Sequence, residues 1–207
     1  MFDFGKASGF MFDCDGTLID ALDAWEQAEA PLFAQTGPLT REQEDEIHSA
    51  PIEIAAQIFH ERYGAGKSSQ DVLDHLDGFL LPFYGERSNP IEGACEFVRV
   101  AHEKGIPCVV VSSSPRRYLE AGLARAGILD CFVDLVSTDE VGCSKQDHRI
   151  YEHALKVLGS DLASTWAVDD APYAIAVMHD FGLRTICVGP RTSPYADIDV
   201  KTFPELL

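Results

Sequence analysis

The chain has 207 residues, 46% of them hydrophobic and 24% charged, which suits one generous domain, or one domain with a smaller insert, around a sizeable core. Its 16 basic and 34 acidic residues leave a net charge of -18, the wrong sign for a protein that lives on nucleic acid or anionic lipid. An anionic substrate would have to meet positive charge supplied locally, by a metal or by a few placed bases.

No run reaches the ~18 apolar residues of a membrane span, so no membrane or nucleic-acid partner is expected. The opening residues lack the basic start and unbroken apolar stretch of a signal peptide. The six cysteines are scattered, without CxxC or zinc-type spacing, and read as reduced thiols of a cytoplasmic protein.

In chain order, Gly9–Phe12 is a first short apolar strand ending in Asp13-Cys14-Asp15-Gly16-Thr17. Residues 20–35 are amphipathic, with Leu22, Trp25, Ala28 and Leu32 on one face, and Pro31 is expected to bend or restart the helix. Residues 49–63 place Ile52, Ala55, Ala56 and Phe59 at helical spacing, and residues 71–81 do the same with Val72, Leu76, Phe79 and Leu80. No strand is evident between residues 20 and 90, a segment with 14 acidic and 4 basic residues. It reads as a small all-helical unit inserted after the first strand, with Ser88-Asn89-Pro90 as the return linker.

From residue 91 the grammar changes. Residues 106–112, 132–136, 165–168 and 185–188 are short apolar runs of the kind that strands buried on both faces show. Helical stretches at 91–104, 116–126, 147–158 and 172–181 alternate with them, and Gly105, Gly127, Gly159 and Gly182 stand just past their ends. This alternation predicts an α/β fold, a parallel sheet with helices on both faces.

Asp13 and Asp15 sit at the C-terminal end of a strand, where open parallel sheets bind ligands. A pair of solvated turn aspartates is the plainer reading, yet D-x-D-G-T arises by chance in a chain this long with a probability of only about a few in a thousand. Two further strand ends add polar groups at the same edge: Ser112, in the run Val-Val-Val-Ser-Ser-Ser-Pro, and Asp169-Asp170. Lys145 stands between them, near the start of the 147–158 helix.

This constellation resembles the haloacid dehalogenase superfamily, in its small helical-cap phosphatase and β-phosphoglucomutase-like branch. Asp13, Asp15, Gly16 and Thr17 look like the first motif of that superfamily, Ser112 the second, Lys145 the third, and Asp169 with Asp170 the fourth. The third and fourth depart from the usual pattern, reading Lys145-Gln146-Asp147 and Asp169-Asp170-Ala171. The resemblance covers essentially the whole chain. It implies a Rossmann-like catalytic core of residues 1–19 and 90–207, with residues 20–89 as the inserted cap domain. It also implies an Mg²⁺-dependent phosphatase acting on a small phosphorylated metabolite, of the phosphoglycolate or sugar phosphate type.

On this reading Asp13 is the nucleophile and Asp15 the general acid and base. Ser112, Ser113, Lys145 and Thr17 hold the phosphate or its surroundings, with Thr17 orienting Asp15 and closing the turn. The resemblance implies Asp13, Asp170, the Asp15 backbone carbonyl and Asp169 as ligands of Mg²⁺. A β-phosphoglucomutase-like phosphomutase and a non-catalytic binding protein of the same fold are the alternatives.

Other features point away from chemistry. Gly64-Ala65-Gly66-Lys67-Ser68 lacks the first glycine of a P-loop and follows a helix, so it reads as a loop. His148 and His153 read as surface histidines, Glu42, Glu44, Asp45 and Glu46 as a solvated face, and Trp25 as core of the helical unit. Whether Arg116 or Arg117 reaches substrate, and the oligomeric state, stay open at this level.

Overall fold

The apolar runs assemble into one parallel sheet of six strands in the computed structural model, which describes residues 1–207. They are β1 (Gly9–Phe12), β2 (Cys108–Ser112), β3 (Asp134–Ser137), β4 (Thr165–Asp169), β5 (Arg184–Val188) and β6 (Ile198–Val200), in the order β3-β2-β1-β4-β5-β6. Phe12 pairs with Val110 on one side and Val168 on the other. The α/β, Rossmann-like expectation therefore holds. The short sixth strand escaped the sequence reading, because its three residues, Ile198, Asp199 and Val200, give no periodic signal.

Alternation along each strand sorts side chains to two faces. Phe10, Phe12, Val110 and Val168 bury against α5 (Ala94–Glu103) and α6 (Arg116–Ala126), through Phe97, Val98, Leu119 and Leu123. Met11, Val109, Val111 and Ala167 bury on the other face against α8 (His148–Leu158) and α9 (Pro172–Phe181), through Ile150, Tyr151, Ala174 and Ile175. Glycines in the left-handed region stop α6, α8 and α9 at Gly127, Gly159 and Gly182, as the spacing predicts.

Between β1 and α5 the chain is helical. α1 (Leu22–Thr36) runs on through Pro31 as a single helix, with the proline ring exposed. α3 (Ile52–Gln57) and α4 (Ser69–Pro82) each continue into a wide π-type turn, at Ile58–Arg62 and Phe83–Arg87. α2 (Arg41–Ser49) was not foreseen as a helix. Its signal is the capping box in which Thr40 accepts from the Gln43 N–H while the Gln43 side chain accepts from the Thr40 N–H. The chain leaves the sheet and returns to it side by side, the Asp20 N–H donating to the Asn89 carbonyl at 2.9 Å. Apolar side chains of this segment, among them Phe59, Leu76 and Leu80, join the same cluster as Phe10 and Phe12. None of the six cysteines is paired.

Candidate active site

The strand order reverses between β1 and β4, and the polar strand ends converge at the C-terminal edge beside that point, where parallel sheets open a crevice. Asp13 follows β1 directly, its N–H donating to the Val168 carbonyl at 2.9 Å. Asp169 ends β4 and Asp170 follows it. Lys145, in the loop before α8, donates from Nζ to Asp13 Oδ1 at 2.9 Å and to Asp169 Oδ2 at 2.5 Å. Tyr151 fixes that loop by donating to the Lys145 carbonyl at 2.7 Å. Lys145 is 4% exposed and Asp169 1%, so these ion pairs lie out of water, where breaking one partner away leaves an uncompensated charge.

The turn after β1 depends on Gly16. Its φ is +86°, and a Cβ there would lie 3.0 Å from the Asp170 carboxyl and 2.9 Å from Leu22 Cδ1, so the position demands glycine for both its conformation and its space. Thr17 is fully buried, and its hydroxyl donates to Asp170 Oδ1 at 3.4 Å. The sequence reading had Thr17 orienting Asp15. Instead, Tyr84 donates to Asp15 Oδ1 at 2.5 Å, and the Ser114 hydroxyl donates to Asp15 Oδ2. Trp25 donates from Nε1 to the Tyr84 hydroxyl at 2.8 Å, and the Tyr84 ring stacks on Tyr118. Gly122 admits this ring, since a Cβ there would stand 2.9 Å from Tyr84 Cδ1.

Ser112 accepts from the Ser114 N–H at 3.0 Å, which folds the loop after β2 over the sheet edge. The Ser113 hydroxyl is buried and has no hydrogen-bond partner, a costly state unless a ligand oxygen or water meets it. Arg191, in the loop after β5, pairs with Asp170 Oδ2.

Electrostatics mark this cluster. Burial pushes the Asp13 carboxyl well above the usual range, reinforced by Asp169, Asp170 and Asp15 and opposed by Lys145. Burial raises Asp15 against the hydrogen bonds from Ser114 and Tyr84. Asp170 is pushed up to about 6 by burial and by Asp169, against the pull of Arg191. Burial alone would lower the Lys145 ammonium, but Asp13 and Asp169 outweigh it and hold it well above its usual value. Four carboxylates thus face only two cations, Lys145 and Arg191. Ligand oxygens of Asp13, Asp169 and Asp170 all lie within 4.8 Å of one another. This set of hard oxygen donors fits a small divalent cation such as Mg²⁺.

Above the cluster opens a cavity of about 550 Å³. Asp13, Asp15, Asp170 and Ser112–Ser114 form its floor, and α1, α2, α3 and the turn after α3 form the opposite wall through Trp25, Glu29, His48, Ile52 and Phe59. Trp25 is thus both packed in the helical segment and exposed to the cavity. Asp45, expected on a solvated face, also reaches the cavity, whereas Glu46 is tied to Arg62 at 2.7 Å. Arg116 is held by Glu140 and Asp134, and Arg117 by Asp77 of α4. Neither arginine lines the cavity. His148 sits on the surface beside Asp180. The run 64–68 is a loop in which Ser68 N-caps α4.

The sequence reading did not single out Tyr84, Ser114, Arg191, Glu29 or His48. Ser114 stood in the triple-serine run beside Ser112. The other four reach the cavity or Asp15 from loops and helices whose spacing carries no mark of chemistry.

A family profile described as haloacid dehalogenase-like hydrolase matches residues 7–182, and the chain belongs to that family. It is 26% identical to hexitol phosphatase B of Escherichia coli (strain K12), over 86% of this chain and 82% of that one. It is 23% identical to 6-phosphogluconate phosphatase of the same organism, over 97% and 92%. The crystal structure of CbbY from Rhodobacter sphaeroides in complex with phosphate superposes with a TM-score of 0.80 at 21% identity, covering 97% of this chain and 96% of that one, and shares the fold.

Proposed function

We propose that this haloacid dehalogenase-like hydrolase is an Mg²⁺-dependent phosphatase of small sugar phosphates, working through an aspartyl-phosphate intermediate. One observation carries the reading: Asp13, Asp15, Lys145, Asp169 and Asp170, spread over 158 positions of sequence, gather in one cluster, and Asp13, Asp15 and Asp170 of it line a cavity large enough for a small phosphorylated metabolite. The phosphatase names of hexitol phosphatase B and 6-phosphogluconate phosphatase agree with it.

Asp13 attacks phosphorus in line with the leaving oxygen. Asp15, two residues on and held through both oxygens by Tyr84 and Ser114, gives its proton to that oxygen. It then takes one from the water that hydrolyses the aspartyl phosphate. Lys145 and the Ser112 and Ser113 hydroxyls hold the phosphoryl oxygens, so that fixed donors face the charge as it shifts. Asp13, Asp170 and the Asp15 carbonyl would hold Mg²⁺, with Asp169 beside them and Thr17 steadying Asp170. Mg²⁺ supplies charge neutralisation between carboxylate nucleophile and phosphate. Residues 20–89 act as a cap, walling the cavity and keeping bulk water from the intermediate.

The test is release of p-nitrophenol from p-nitrophenyl phosphate by the purified chain with and without Mg²⁺. Metal-dependent release, lost by at least about a thousandfold in Asp13→Asn, is the expected result. Absence of metal-dependent release between mildly acidic and mildly alkaline pH would end the proposal.

A further inference from the structure

The phosphatase reading leaves the leaving group open, since the two relatives act by name on a neutral polyol phosphate and on the phosphate of a sugar acid. The helical wall of the cavity separates these. Its deepest charged group is Glu29, in the third turn of α1. Glu29 is 6% exposed and lines the cavity that holds Asp13. His48 of α2 meets Oε2 of Glu29 at 3.1 Å, and Oε1 is left without a partner. That oxygen is not sealed in the protein interior, so a donor that enters the cavity can reach it.

Ala55, Phe59 and Leu76 line the same cavity and offer no donor. The exposed acids Asp23, Glu26 and Asp45 line the same cavity, against the exposed and unpaired Arg41 and against Arg191, which is paired with Asp170. A second carboxylate or phosphate on the leaving group would be carried past these acids and set against Glu29. A hydroxyl would donate to Oε1 and satisfy it.

We infer that Glu29 is a specificity-determining residue, accepting a hydrogen bond from a hydroxyl of a neutral polyol leaving group and disfavouring leaving groups that carry a second anion. The inference rests on the phosphatase reading. His48 supports it by holding Glu29 in place, and the hydrogen bond it donates to Glu29 raises the His48 imidazole above its usual range.

Sorbitol 6-phosphate and 6-phosphogluconate form a matched pair, alike except for a hydroxymethyl or a carboxylate at the far carbon. Wild-type protein is expected to show kcat/KM at least about tenfold higher for the polyol phosphate. Glu29→Gln should narrow the ratio to within about threefold, mainly through KM, because the amide removes the charge. Equal or better turnover of 6-phosphogluconate by wild type, or an unchanged ratio in Glu29→Gln, overturns the inference. Such a preference for the acid would point to Arg41 as the reader of the leaving group. If Glu29→Gln fails to fold, wild type decides: free sorbitol should inhibit competitively at concentrations where gluconate does not, and the reverse order overturns the inference. Mg²⁺-dependent release from p-nitrophenyl phosphate is measured first. Its absence sinks the phosphatase reading, whereas its presence with the ratio reversed sinks only the role of Glu29.

Discussion

The floor and the wall of the cavity are built differently. The floor is a set of strand ends and the loops that leave them, in which most charged and hydroxyl groups already have partners inside the protein. Lys145 bridges Asp13 and Asp169, Thr17 and Arg191 hold Asp170, and Tyr84 and Ser114 hold Asp15. The wall is a set of helices whose cavity face is mixed: Trp25, Phe59 and Leu76 supply apolar surface, Glu29 and His48 a hydrogen-bonded polar pair, and Asp23, Glu26, Arg41 and Asp45 exposed charge. Groups that must be preorganised around a transition state sit at the sheet edge and are fixed there, Asp15 with help from Tyr84 of the helical segment. Groups that need only sort leaving groups are carried by helices, whose side chains can differ without disturbing the sheet. On the proposed mechanism, damage to the floor lowers turnover of every phosphate ester, most where the alcohol leaves poorly, while damage to the wall changes which leaving group is recognised.

The sharpest way to break this contrast is at Asp15. On the proposed roles, Asp15→Asn should lower kcat by about 10²- to 10⁴-fold, with the larger losses for alcohols that leave poorly, measured across a series of phosphate esters. A uniform small loss would place Asp15 outside the chemistry. Lys145→Met comes next. Removing the ammonium leaves Asp13 and Asp169 crowded and unpaired, which should cost about 3–5 kcal/mol of stability. On the proposed metal site, added Mg²⁺ should restore part of the melting temperature, read by thermal unfolding with and without the ion.

Gly16→Ala tests the turn rather than a charge. A side chain at φ +86°, placed 3.0 Å from the Asp170 carboxyl, should cost about 1–2 kcal/mol, visible in urea unfolding, and should lower turnover because Asp170 is displaced. The smallest effect belongs to the wall. The folded His48 binds its proton more tightly than the unfolded residue, chiefly through Glu29. Its contribution is therefore full below the unfolded value of about 6.5 and is lost as pH rises through the folded value above it. Because His48 is 49% exposed, the contribution stays below about 1 kcal/mol. Urea unfolding of wild type and His48→Gln at pH 6 and pH 8.5 should differ more at the lower pH.

The two regions also differed in how far they could be read from the chain. Asp13, Asp15, Ser112, Lys145 and Asp169-Asp170 were legible because a parallel sheet has one chemistry-bearing edge, and apolar runs mark where each strand meets it. Lys145 needed the resemblance as well, since it stands in a loop. Helix ends at Gly127, Gly159 and Gly182 were legible for a local reason, a conformation that glycine adopts freely. The helix 91–104 was read three residues early, because Gly93, at φ +77°, breaks the start before Ala94.

The amino-acid order by itself determined the α/β alternation, the helical segment after the first strand and Asp13, Asp15, Ser112, Lys145, Asp169 and Asp170 of the floor, because period-two and period-3.6 patterns and strand-end motifs are local properties. Only the tertiary structure decided that Tyr84, 69 positions away, would hold Asp15, that Thr17 would turn to Asp170, and that Glu29 would face the cavity with one oxygen free. The reason is geometric: a helix face can point at solvent, core or cavity with the same spacing, and packing against the sheet selects among them.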